Sequence, residues 1–265
     1  MARLYIRVSR LFLLSSVCLS LLLLSGCTAA SSSVIDDQQN IDRIEVLLVS
    51  DHTLPNHLNK ATAGANGIER NYIDPTLARL TEIFQARGIT VATINVEDFA
   101  PQQTILDEAT FTAAYTAYDV VLEWAVKHKI TVISVHYDAD ILYDAQDPSV
   151  ITYTGGAQII LDPRAVSEST LSLVNSLLFD YQLLESLNKT GLRIRPDYDD
   201  EIRYQSNLTL NIIGHSAGGG LLLEIGAQDQ AIELFGSPQQ IVTAIEKPLN
   251  VLVNGVIAHL AKMKD

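Results

Sequence analysis

Past residue 40 the apolar positions follow two alternating rhythms. The run 44–49 (IEVLLV) is short and continuous and closes on the polar Ser50-Asp51-His52, which predicts a buried strand delivering side chains at its C-terminal end. A long loop then runs to about Tyr72. Asp74-Pro75 reads as an N-cap and first helical residue, with Leu77, Leu80, Ile83 and Phe84 on one face and Gly88 as the stop. Residues 90–94 (TVATI) predict the next strand, 109–127 a helix, and 130–135 (ITVISV) a third strand ending at His136. Further along come a strand at 156–161, a helix at 168–188, strands at 208–213 and 220–225, and a final helix at 248–262. The alternation predicts an α/β single domain, a mostly parallel central sheet flanked by helices. In such sheets sites form beyond the carboxyl ends of the strands, which puts His52 and His136 on one edge.

The N-terminal pattern is different. Arg3, Arg7 and Arg10 precede an apolar run over 11–24, the layout of a signal peptide and too short to span a bilayer comfortably. The run ends in Leu24-Ser25-Gly26-Cys27, which resembles the lipobox of bacterial lipoproteins. That resemblance implies a signal peptide over 1–26, lipid on Cys27 and attachment of the protein to a membrane through that anchor. Residues 27–40 then form a lipidated cysteine and a small, polar, flexible tether, leaving 41–265 as one domain. The implied location is the cell envelope. In a Gram-positive host this is the outer face of the cytoplasmic membrane. In a Gram-negative host it is the outer membrane facing the periplasm, because Thr28 is not the aspartate that retains enteric lipoproteins in the inner membrane.

Composition narrows the function further. The only other cysteine, Cys18, lies in the segment to be removed, so the folded domain has no disulfide and relies on packing or a metal. Formal charge is −13, and removal of the three arginines of the signal segment takes it to −16, a surface that repels phosphate backbones and argues against nucleic acid as a partner.

A zinc hydrolase requires about three nitrogen or carboxylate ligands, an open position for water, and a further carboxylate to carry protons. His52 after the first strand, Glu69 in Gly64-Ala65-Asn66-Gly67-Ile68-Glu69, and His136 after the third strand stand where ligands are needed. Glu224 interrupts the apolar Leu221-Leu222-Leu223-Glu224-Ile225, and an unpaired carboxylate within an apolar strand is costly without a role. Each has a plainer reading. A histidine after a strand is often a loop or core residue, and Glu69 alone could simply begin the following helix. His128 between two lysines reads as a solvated helix end, and His259 sits on the final helix.

Taken in order, these segments resemble the zinc-dependent N-acetylmuramoyl-L-alanine amidases of the cell-division and sporulation type. The resemblance rests on Asp51-His52, on Gly64 to Glu69, on Ile133-Ser134-Val135-His136, on the Gly-led strand from Gly156, on Ser167-Glu168-Ser169, and on Leu222-Leu223-Glu224-Ile225-Gly226. It implies that His52, Glu69 and His136 hold one zinc ion, with Glu224 as catalytic carboxylate. The substrate is then peptidoglycan, cut at the amide between N-acetylmuramic acid and L-alanine. The family's Asp-Pro-Gly-His-Gly-Gly opening is reduced here to Ser50-Asp51-His52-Thr53, which leaves His57 as a rival first ligand, and Ala227-Gln228-Asp229 replaces the residues that usually follow the closing Gly.

Two other classes remain open at this point. Gly214-His215-Ser216-Ala217-Gly218 matches the nucleophile elbow of α/β-hydrolase esterases, with Ser216 as nucleophile. Against it, that fold requires a helix after the elbow where residues 220–225 read as strand, and His259 is the sole later histidine. Gly218-Gly219-Gly220 then reads as a tight connection. The third class is a non-catalytic cell-wall binding lipoprotein on a decayed amidase scaffold, which would lack stoichiometric zinc.

Overall fold

The computed structural model describes residues 44–51, 63–64, 67–100, 107–138, 141–143, 146, 151–153, 155–195 and 202–264. The signal segment, Cys27, the tether, His52 and His57 lie outside them. Six strands form one sheet: β1 (Val46–Ser50), β2 (Val91–Asn95), β3 (Thr131–Asp138), β4 (Gln158–Leu161), β5 (Ile202–Tyr204) and β6 (Gly220–Ala227). Their spatial order is β2-β1-β3-β6-β4-β5. β1, β2, β3 and β6 run parallel to one another. β4 is antiparallel to β6, and β5 follows β4 in parallel. The sheet is thus mostly parallel.

Every residue of β1 and β3 is buried, as expected of central strands covered on both faces. Side chains alternate between two apolar cores. One takes Val46, Leu48, Ile133, Val135, Leu221 and Leu223. It lies under α1 (Arg70–Ala86), α3 (Glu168–Asn175), α4 (Leu183–Asn188) and the C-terminal pair α7 (Pro238–Ala244) and α8 (Glu246–Lys264). The other takes Leu47, Val49, Val132, Ile160 and Leu222, under α2 (Glu108–Lys127) and α5 (Leu208–Gly214). The remaining helix, α6 (Gln228–Phe235), follows β6 directly.

Four expectations change. α1 begins at Arg70, with Pro75 inside it, because the Glu69 carbonyl already accepts the amides of Tyr72 and Ile73. One lost amide near a helix start is tolerable where the following turns bury Leu77, Leu80 and Phe84. The single helix expected over 168–188 is two helices, separated by a π turn at Ser176–Asp180 and by Gln182 at φ 52°. Residues 208–213 are helical, not extended. Asn207 stands in extended conformation with its side chain accepting the Leu210 amide, an N-cap that decides an apolar run too short for periodicity to classify. Finally, β3 continues through His136 to Asp138, so His136 lies within the strand.

Candidate active site

Strand parity assembles the site. Val132 of β3 and Leu222 of β6 face the core under α2 and α5, so Ser134, His136, Asp138 and Glu224, at even steps beyond them, share that face. β3 and β6 pair with Glu224 opposite His136, and β6 pairs with β4 with Glu224 opposite Gln158. An apolar face therefore turns polar toward the C-terminal ends of the parallel strands.

His136 is held at both ring nitrogens. Its Nδ1 lies 2.9 Å from Glu69 Oε1, and its Nε2 lies 2.9 Å from Ser134 Oγ and 3.2 Å from Asp51 Oδ1. His136 and Glu69 are both buried. Glu69 Oε1 also accepts the Tyr137 backbone amide at 3.0 Å. So Glu69 both begins α1 through its carbonyl and reaches the site through its side chain. Burial by itself would lower the His136 pKa; the charge of Glu69 and the contacts with Asp51 and Glu69 outweigh it and push the imidazole well up.

Glu224 is half-buried, and its Oε2 is shielded from solvent with no hydrogen-bond partner among the described residues. Burial pushes its carboxyl well above the usual carboxylate range, His136 pulls it down, Glu69 and Asp138 push it up, and Arg195 pulls it down. Beside it is a buried ion pair, Arg195 Nη1 to Asp138 Oδ2 at 2.8 Å. The same Asp138 oxygen accepts the Gly156 amide at 3.0 Å and Gln158 Nε2 at 3.2 Å. A backbone bridge between Ala157 and Ile194 carries Arg195 to this place.

Of the expected site residues, the structure brings Glu69, His136 and Glu224 together, and the neighbouring Asp51 marks where the first strand delivers its chain. His52 and His57 lie outside the described residues. Among those described, no three His, Cys, Asp or Glu side chains gather as a metal-holding group. Asp51, Ser134, Asp138, Gln158 and Arg195 were not anticipated. Period-2 spacing from His136 is a signal that could have found Ser134 and Asp138, whereas Arg195 is brought in by a loop that carries no such signal. Gln228, which departs from the amidase pattern, is buried and donates from Nε2 to the Tyr137 carbonyl at 3.0 Å, tying α6 to β3.

The rival motif has a structural explanation. Ser216 is fully buried in the turn before β6, at the other end of the sheet from Glu224; its hydroxyl donates to the Ile130 carbonyl at 2.9 Å and accepts the Gly218 amide at 3.0 Å. The chain around it runs helix, turn, strand, the reverse of a nucleophile elbow. The glycines are there for close approach. A Cβ on Gly214 would stand 1.9 Å from the Ala165 carbonyl oxygen, one on Gly218 2.3 Å from that of Lys129, and one on Gly220 2.1 Å from that of Ile213. His259 Nε2 meets the Gly218 carbonyl at 3.0 Å from α8.

No protein-family model matches the chain, and no curated protein matches it in sequence. Solved structures do. The apo form of the N-acetylmuramyl-L-alanine amidase Ami1 from Mycobacterium abscessus is similar with a TM-score of 0.51 at 15% identity, covering 82% of this chain and 99% of that one. Ami1 from Mycobacterium smegmatis is similar with a TM-score of 0.50 at 12% identity, covering 83% and 99%. At such identities the likeness establishes the fold, a single α/β domain of the kind these amidases have.

Proposed function

We propose that this chain is a zinc-dependent peptidoglycan hydrolase that cleaves the amide between N-acetylmuramic acid and L-alanine, and that it is held to a membrane of the cell envelope by lipid on Cys27. The observation that carries the catalytic reading is the meeting of Glu69 and His136, 2.9 Å apart, with Glu224 opposite His136 on the neighbouring strand. The amidase fold around them is the second support. The anchor rests on the sequence Leu24-Ser25-Gly26-Cys27.

The donor set fits zinc as far as it is described. One imidazole nitrogen and one carboxylate oxygen are ordinary zinc ligands. His136 and Glu69 would hold the ion, with His52 or His57 as the third ligand. When bound, zinc supplies Lewis acidity, polarising the amide carbonyl and lowering the pKa of water.

The other tasks fall to the chain. Glu224, half-buried and carrying a solvent-shielded oxygen, would take a proton from the attacking water and return it to the departing amine. Arg195 and Asp138 neutralise each other beside it, so Glu224 works next to a fixed dipole and not a net charge. The backbone amide of Tyr137 holds Glu69 in place and limits its rotation.

The test uses full-length protein purified in detergent. It should hold about one zinc per chain, lose muropeptide cleavage on chelation and regain it when zinc returns. His136→Ala should lower zinc content sharply. Zinc-loaded protein that leaves muropeptides intact would remove the amidase reading in favour of a binding scaffold.

A further inference from the structure

We propose that the N-terminal end of the parallel strands is the face that lies against the membrane, on the headgroups of anionic phospholipid, so that the candidate active site points away toward the wall. This rests on the lipid-anchor reading above and adds an orientation to it. Its ground is where an acidic chain places its cations. The Glu45 amide donates to the Thr90 carbonyl at 2.9 Å and the Thr131 amide to the Glu45 carbonyl at 3.1 Å, so the entries to β1, β2 and β3 lie side by side. α1 and α2 end just before β2 and β3, and the end of α8 joins them through Lys264 Nζ, 2.8 Å from Glu45 Oε1. Arg87, Lys127, Lys129, Lys262 and Lys264, all exposed, are thereby gathered at this end. Beside them stand the acids Glu45, Glu123, Glu168 and Asp180; Glu45 is offset by Lys264, and Asp180 faces Lys262 at 3.5 Å. Lys127 and Lys129 make no ion pair among the described residues, and this end keeps a small excess of cations on a chain of formal charge −13.

The opposite end is the reverse. Asp51, Glu69, Asp138 and Glu224 collect there, with Glu97 and Asp98 in the turn after β2. His136 is five residues along β3 from Thr131, about 16 Å from the basic end. Orientation needs only this difference between the ends, since a flat anionic surface attracts one and repels the other. A polyanion free in solution would meet the whole acidic chain, which makes a bilayer surface the better partner. Two exposed apolar side chains fit the same face: Leu171 of α3, 41% exposed, and Met263 in the last turn of α8, 37% exposed, whose Sδ lies 3.5 Å from Ser169 Oγ. The place where the chain enters the domain agrees with it. Sixteen residues lie between Cys27 and Ile44, and Glu45, next in sequence, is the residue to which Lys264 is paired. A lipid on Cys27 would thus hold the domain by the end that carries its cations.

Trp124 is the chain's single tryptophan and reports on this face, one turn before the end of α2 with its ring 4.7 Å from that of His128. Full-length protein is reconstituted into vesicles of phosphatidylcholine alone or with phosphatidylglycerol, both carrying a nitroxide on the phosphatidylcholine headgroup. Trp124 fluorescence should be quenched more in the anionic vesicles, and added salt should return it toward the neutral level. Each lysine at an anionic surface favours contact by about fivefold, so the triple variant Lys127→Gln, Lys129→Gln, Lys262→Gln should reduce contact about 100-fold and be quenched alike in both vesicles. Its zinc content and turnover of dissolved muropeptides should match the parent's, since the three side chains are exposed and far from the site. The matching triple arginine variant keeps the charges and should keep the parent's lipid dependence. Equal quenching of the parent in both vesicles, quenching indifferent to salt, or a glutamine variant that retains the parent's difference would each overturn the proposal. The salt series uses the parent alone and so reports even if the glutamine variant does not fold. Protein that floats with neither vesicle fails the anchor reading and this orientation with it. Protein that floats with both and shows no lipid-dependent quenching fails the orientation only.

Discussion

Glu224 interrupts an apolar strand, and its neighbours explain why the interruption is tolerated. Burial and the nearby Glu69 and Asp138 carboxylates favour its neutral form, while His136 and Arg195 favour the charged one. The net push is upward, the direction in which a carboxyl has to move to exchange protons near neutral pH. Glu224→Gln keeps the shape and removes the titration. It should retain fold and zinc while muropeptide turnover falls about 10²–10⁴-fold, read as kcat in a zinc-loaded preparation. Ser216→Ala tests the rival residue. Its hydroxyl donates to the buried Ile130 carbonyl, so the variant should lose about 1–3 kcal/mol in denaturant unfolding, with kcat per folded molecule unchanged. Loss of kcat in Ser216→Ala with none in Glu224→Gln would reverse the assignment.

At the scale of elements, the strands that carry the site were legible and the segments that orient it were not. A strand-length apolar run broken by Ser134, His136 or Glu224 announces both the strand and the odd residue, because period 2 places every such residue on a known face. Residues 208–213 offered no comparable signal. TLNII-like runs satisfy a strand or one and a half helical turns equally well, and only the Asn207 cap, two residues before Thr209, separates the two. The helix matters at this edge of the sheet, where Thr209 donates from Oγ1 to Asp51 Oδ2 at 3.2 Å. Arg195 was illegible for another reason: its ion pair with Asp138 spans 57 residues and depends on a single backbone bridge. Asn207→Ala removes the cap and should cost about 1 kcal/mol in unfolding free energy. The loss should show in denaturant unfolding, with the far end of the sheet unaffected.

Over the whole molecule, one end of the sheet gathers titratable side chains and the other is packed shut. The parallel strands deliver Asp51, His136 and Glu224 at their C-terminal ends, while the glycine-lined turn before β6 seats backbone against backbone at the N-terminal end. A chain that is strongly acidic as a whole gains no net attraction to an anionic surface, so the proposed lipid on Cys27 has to supply membrane attachment by itself. Sixteen residues lie between Cys27 and Ile44, so the proposed tether would reach at most about 60 Å when extended. On the proposed reading, that reach would confine the domain to wall close to the membrane. Replacing Cys27 with Ser should therefore abolish fatty-acid labelling and release the protein from the detergent-extracted membrane fraction, or leave the signal segment unprocessed. Zinc content and turnover on dissolved muropeptides should match the parent, because the site lies entirely in the domain. Cleavage of intact wall in cells should drop, since the domain is no longer confined near its substrate. A Cys27→Ser protein that still carries lipid on its N-terminal peptide would show that the anchor is elsewhere.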